Sequence, residues 1–243
     1  MATFEEQVEA LTSIAIDSSS TPTQSELSQF LKDGVIDVTD KHLAVRPTDE
    51  KLFMAKTASQ QSQGANLNGA KIISVLREES PWHATDATDA DDSAAWIPCR
   101  EINQDLVSSA LDKSSLNFAS VYHPVYWIDE NNGIRVLPLP TADAVYIIYY
   151  VNNTPQNSSG SALVHSHSDI KFFPSNKVHL VAVYASIKTI EAKLASLTLD
   201  EEDVELSSGL QITLQQLQNT YVQGFLPDKN LELVMQSQAG NRR

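Results

Sequence analysis

The chain holds a single cysteine, Cys99, among its 243 residues. No intrachain disulfide can form, which excludes the cross-linked framework of small secreted domains and makes a reducing compartment the expected place of synthesis. Basic residues are scarce too, 17 Lys and Arg against 31 Asp and Glu, a formal net charge of −14. That balance argues against a phosphate-tracking nucleic-acid binder, which needs clustered cations to release counterions. No apolar run approaches the roughly 18 residues of a spanning helix, so no membrane span is expected. The opening MATFEEQVEALTSI has neither a basic n-region nor an apolar h-region, and no signal peptide is expected from it. Without secretion the glycosylation triplets at Asn152 and Asn157 never meet the glycosylating machinery. Familiar reactive frameworks are missing as well: there is no Gly-x-Ser-x-Gly elbow, no glycine-rich phosphate loop and no His-Glu-x-x-His helix. A glycosidase-like carboxylate pair is spatial and leaves no trace in spacing. The chain reads as non-enzymatic, with no catalytic, cofactor-binding or metal-ligating residues assigned.

What is present is pattern. At this length, one domain with an insertion and two small domains are both open. Thr3 with Glu6 forms a capping box, followed at helical spacing by Phe4, Val8, Leu11 and Ala15. Thr23 with Glu26 repeats the box ahead of Leu27, Phe30, Leu31, Val35 and Val38, a stripe running to about His42 with Gly34 as a weak point inside it. From Lys51 the texture changes to short β-rich runs, among them AKIISVLRE, VYWID and AVYIIYYV, punctuated by Asn131-Asn132-Gly133 and by Gly64 and Gly69. One or two helical turns fit NQDLVSSALD. Pro138 and Pro140 cannot donate ladder hydrogen bonds and belong at a strand end or sheet edge, whereas 144–151 suits a central strand. Residues 152–162 read as a flexible connector or the tip of a β-arm. After Pro174 the helical period returns with Ser175 as a cap, first through Leu180, Val183, Tyr184, Ile187, Ile190, Leu194 and Leu197, then through Leu210, Leu214, Leu217, Tyr221 and Phe225.

The fold class this predicts is α+β: a helical bundle formed by both chain ends, with a β-sandwich or barrel-like unit inserted. The expected parts are N-terminal helices over 1–50, a β-rich domain over 51–173, C-terminal helices over 174–226 and a tail over 227–243.

Four groups of residues invite a chemical reading. His165 and His167 would share a face on a strand and meet Asp169, but no second cluster supplies further ligands, and a polar strand edge is the better reading. Asp86, Asp89, Asp91 and Asp92 lack the glycine and the closing Glu of a calcium loop and read as a solvated acidic loop pinned by Trp82 and Trp96. Cys99 lies beside Arg100, a cation that would lower a thiol pKa, although a buried strand thiol is far commoner. Tyr122, Tyr126, Trp127, Tyr146, Tyr149 and Tyr150 would suit sugar stacking or a protein interface, against core packing on both faces.

The stretch SSLNFASVYHPVYWIDENNGIRVLPLPTADAVYIIYYVNNTP, followed by a polar loop, FFPSNKVHLVAVYASIKTIEAKLASL and a further helix, resembles the neck or adaptor proteins of tailed-bacteriophage virions. The elements that carry the likeness are a Pro-aromatic strand at 124–127, Gly133, the segment 136–140, the strand 146–151 and the helix 183–194. The opening FEEQVEAL and SELSQFLKDG match more loosely. The resemblance implies a head-to-tail connector made in the host cytoplasm and resident in the virion neck. It would form a homo-oligomeric ring, commonly twelvefold, beneath the portal protein, carry tail or nozzle proteins and pass DNA without reading its sequence. The tail would dock on the portal, with Phe225, Leu231, Leu233, Val234 and Met235 as apolar anchors and Arg242 and Arg243 as terminal charge. Other readings are a tail, collar or baseplate component of a virion and a carbohydrate-binding β-sandwich module.

Overall fold

The computed structural model describes residues 2–79, 96–142, 144–200 and 204–225. The chain divides into two compact units, Glu50–Asn153 and the remainder, Met1–Asp49 with Thr154–Arg243. It is mixed α+β, with the helices at both ends of the chain and the sheets between them.

The unit built from the chain ends contains α1 (Phe4–Thr12), α2 (Gln24–Val45), α4 (Val178–Asp200) and α5 (Val204–Gln223). Both capping boxes form as the spacing predicts. Glu6 N–H donates to Thr3 Oγ1 at 3.2 Å while Thr3 N–H donates to Glu6 Oε2 at 2.9 Å, and Thr23 and Glu26 repeat the exchange. The first helix is shorter than expected. Ser13 turns left-handed at φ 56° and ends it, so Phe4, Val8 and Thr12 are its buried residues, Leu11 faces outward and Ala15 lies beyond it. Leu27, Leu31, Val35 and Val38 line the buried side of α2, and α4 is central, packing on α1, α2 and α5. Gly34 is not a weak point but the place where Tyr184 lies against α2: a Cβ there would stand 2.9 Å from the Tyr184 ring. Ser175 does not cap α4 either. It opens a 3-10 turn, Ser175–Lys177, from which Lys177 Nζ donates to the Gly224 carbonyl at 2.8 Å.

Residues 154–173, expected with the β domain, belong to the helical unit. Leu163 and Ile170 enter its core, and Leu163 is fully buried. Of the two expectations for 152–162, a flexible connector or a β-arm tip, the second is nearer: Gln156 and Ala162 form an antiparallel bridge around a tight turn in which Asn157 N–H donates to the Ser161 carbonyl, Asn157 Oδ1 accepts from Ser161 N–H, and Gly160 supplies a φ of +85°. The reason is a need at the start of α1. Its first N–H groups lack intrahelical acceptors, and the carbonyls of His167 and His165 accept from Phe4 and Glu5 at 2.8 and 3.1 Å.

The other unit holds β1 (Met54–Lys56), β2 (Ala65–Asn66), β3 (Ile72–Glu78), β4 (Trp96–Pro98), β5 (Arg100–Glu101), a short helix α3 (Val107–Leu111), β6 (Val125–Ile128), β7 (Gly133–Leu137) and β8 (Tyr146–Val151). Two four-stranded sheets result, ordered β1-β8-β3-β4 and β2-β7-β6-β5, antiparallel throughout except for β5 beside β6. As the prolines require, β7 ends at Leu137, immediately before Pro138, and β8 is a central strand. Alternation along β8 sends Tyr146 and Ile148 into a core shared with Val75, Tyr126, Ile134 and Val136.

The loop between β6 and β7 is organised by Asp129. Its carboxylate accepts from Gly133 N–H at 2.7 Å, Asn131 N–H at 3.0 Å and Arg135 Nε at 2.7 Å. The Gly133 amide first, then Arg135, hold its pKa below the ordinary value of 3.8. A carboxyl depressed on folding contributes stability that is complete above its unfolded pKa and lost as pH falls through the folded one. The urea midpoint of the sandwich is therefore higher in the native protein than in Asp129→Asn by a constant margin at neutral pH. That margin narrows once pH drops below 3.8. A margin that does not change with pH would show the carboxylate charge to be irrelevant to the turn.

Candidate functional site

The histidine cluster is not on a strand. His165 lies within a turn that His167 N–H closes on the Val164 carbonyl, and the two side chains go to different partners. His165 Nδ1 lies 3.4 Å from Glu5 Oε2. His167 Nδ1 accepts from Val164 N–H at 3.2 Å, and its Nε2 lies 3.1 Å from the Asn157 side-chain amide. Asp169 is engaged by Ser158, whose backbone N–H and hydroxyl both donate to it. The two imidazoles thus position the start of α1 and its supporting turn, and no group of three or more His, Cys, Asp or Glu is arranged to hold a metal among the described residues.

Cys99 sits where the chain crosses from one sheet to the other, its N–H bonded to the Val75 carbonyl of β3 at 2.8 Å while Arg100 N–H bonds the Pro124 carbonyl beside β6 at 2.9 Å. Burial pushes the thiol up to about 12, and the nearby cation that partly opposes this is Arg77 rather than Arg100. A thiol so protonated is a poor nucleophile. At pH 8 the native protein should react with a thiol reagent on the order of a thousandfold more slowly than the urea-unfolded chain. Native and unfolded rates within tenfold of one another would place the thiol at the surface.

The aromatic residues divide. Tyr146 and Tyr126 are buried, the Tyr146 hydroxyl donating to the Ser62 carbonyl and the Tyr126 hydroxyl to Glu101. Tyr149 and Tyr150 are half-buried, and only Tyr122 among these tyrosines is well exposed. A continuous stacking face is thus absent from β8. Phe225 packs edge-on against Tyr221 with ring centroids 5.1 Å apart. Tyr221 donates to Asp37 of α2, and Lys41 reaches the same carboxylate at 2.8 Å while lying over the Tyr221 ring. Of the docking residues, Leu231, Leu233, Val234, Met235, Arg242 and Arg243 lie outside the described residues, as do Asp86, Asp89, Asp91, Asp92 and Trp82.

Two residues central to the sandwich carry no signal in the local pattern. Arg77 is buried on β3, and its guanidinium donates to the carbonyls of Glu78 at 2.9 Å, Pro138 at 3.0 Å and, more distantly, Leu139 at 3.5 Å. Gln63 uses its side-chain amide as a ladder rung, accepting from Val136 N–H at 2.7 Å and donating to the Val136 carbonyl. Both partnerships cross 61 to 73 residues of sequence, beyond the reach of any periodicity. Arg77 and Gln63 thus spend their side chains on backbone partners, whereas Tyr126, Tyr221, His165 and His167 pair with the side chains of Glu101, Asp37, Glu5 and Asn157. No protein-family model matches the chain, and neither does any curated protein.

Proposed function

We propose that the chain is a neck adaptor of a tailed-phage virion. It is a non-enzymatic protein that joins a ring beneath the portal, carries tail or nozzle proteins and lets DNA slide through. One observation carries the reading: the segments that bear the resemblance form consecutive framework elements rather than a site. Residues 124–127 cover the start of β6, Gly133 starts β7, 136–140 leave it, 146–151 are β8, and 183–194 lie in α4. Val136, Tyr146 and Ile190 from this series are fully buried, as befits a mechanical part whose pattern serves packing. Burial of Tyr126 and Tyr146 favours this over a sugar-stacking module. The charge of −14 fits a conduit, because an acidic lumen repels DNA and keeps it from adhering.

In this reading the residues after α5 dock on the portal, with Leu231, Leu233, Val234 and Met235 as anchors, Arg242 and Arg243 at the end, and Phe225 at the root on Tyr221. Deleting everything after Pro227 should leave the thermal transition nearly unchanged and abolish attachment to portal-containing heads. Retained attachment would move the docking surface elsewhere, and unfolding several degrees earlier would make the tail part of the monomer core.

A further inference from the structure

Beyond Thr12, where α1 stops, the chain passes over α4 and α5 and leaves a groove of about 530 Å³. Ile14, Ala15, Leu206 and Leu210 give it an apolar lining, and Lys193 is its only charged residue among those described. Gly209 lies in its wall, and a side chain there would meet nothing within 4 Å. Leu206 is 46% exposed, an apolar side chain left for something else to cover.

We infer that in the free protein this groove seats the chain's own apolar run, 231–235. Length is the first reason. Of the groove residues on α5, Thr213 and Leu206 lie ten and seventeen positions before Gln223, the last residue of the helix. At a rise of about 1.5 Å per residue the groove begins roughly 15 Å back from the helix end and extends to roughly 26 Å. A chain that turns back along α5 and extends at about 3.3 Å per residue uses roughly 17 Å over 226–230, then lays 231–235 along the next 16 Å or so. Gly224 follows the last residue of α5, and the sequence places Pro227, which cannot continue a helix, three positions on, so a turn is available there. Charge is the second reason. Glu232 is the one ionised residue inside the run, and it arrives beside the groove's one described cation, Lys193. The consequence is that the anchors are covered until a competing surface displaces them. The entropy of ordering the run offsets most of what its burial contributes, so proximity and not thermal stability is the readout.

The test uses the full chain in a Cys99→Ala background and needs no portal, so its failure and a failure of attachment are separate results. Thr213→Cys paired with Leu233→Cys is oxidised at submicromolar protein. Ile212→Cys paired with Leu233→Cys is the control, because Ile212 is 61% exposed and lies on the side of α5 away from Leu210. The expected result is an intrachain disulfide forming at least about tenfold faster in the first pair, as effective concentration favours a seated segment. Lys193→Glu should slow it, and adding Glu232→Lys should restore it. Equal rates in the two pairs overturn the inference. A covalent dimer as the main product also overturns it, since the occupant is then a neighbour's tail. Should the cysteine variants fold poorly, hydrogen exchange of the native protein decides: exchange at residues 12–15 speeds several-fold on truncation after Pro227 if the run is seated there, and is unchanged if it is not.

Discussion

Replacing Arg77 with methionine should destabilise the sandwich unit by about 3 kcal/mol, while Arg77→Lys should fall between the variant and the native protein. Arg77 as a residue is only 4% exposed, and its guanidinium faces backbone carbonyls rather than a carboxylate. Burial lowers its pKa, yet it stays charged because no neutral alternative is within reach at ordinary pH. Methionine matches the length of the side chain but removes the donor from the carbonyls of the half-buried Pro138 and Glu78, at about 1 to 3 kcal/mol each. Relief from desolvating the charge offsets part of this, which keeps the total near the lower end. Lysine keeps the charge and loses the planar fork that reaches three carbonyls at once. Urea unfolding followed by tryptophan fluorescence isolates the effect, because all three tryptophans of the chain fall between positions 50 and 153 of the sequence, and the two described, Trp96 and Trp127, are on β4 and β6. A methionine variant as stable as the native protein would mean that the carbonyls find water or another donor.

The second large effect is expected at Leu163. Its side chain is fully buried in the core that Phe4, Leu27, Leu31 and Leu180 share. Truncation to alanine deletes buried methyl groups and leaves a cavity, costing about 2 to 5 kcal/mol. The loss should appear in the helical circular-dichroism transition and leave the tryptophan transition in place. The opposite assignment, loss in fluorescence alone, would return 154–173 to the sandwich.

Which parts of the fold were readable follows from how far each interaction reaches. Both capping boxes span three residues, and the stripes Leu27–Leu31–Val35–Val38 and Leu210–Leu217–Tyr221 repeat within a few turns, so periodicity exposes them. The end of β7 before Pro138 and the central placing of β8 were legible because proline's missing donor and the apolar run of β8 are properties of single residues and single strands. The assignment of 154–173 was not legible. Polar turn residues there look like a linker, and their purpose, accepting the first N–H groups of α1, lies some 160 positions away in sequence. Gly34 is opaque for the same reason: helix propensity counts its entropy cost, whereas the Tyr184 ring that needs the space sits on another helix. The spacing of His165 and His167 suggested a shared face only if that stretch were a strand, and the turn sends the two rings to Glu5 and Asn157 instead. Arg77 and Gln63 spend their side chains on carbonyls and amides, which every residue has, so nothing in the sequence marks the partner.

We propose that this chain, as a neck adaptor, closes into a ring on a portal. A connector must match the cyclic symmetry it binds, through a head-to-tail interface that closes. Mass photometry of the full chain mixed with a portal from the same source, at low and high salt, tests this proposal most directly. The account predicts that the portal particle gains a whole number of 26.7 kDa protomers equal to the portal's symmetry order. A portal peak of unchanged mass at both salt concentrations would contradict it.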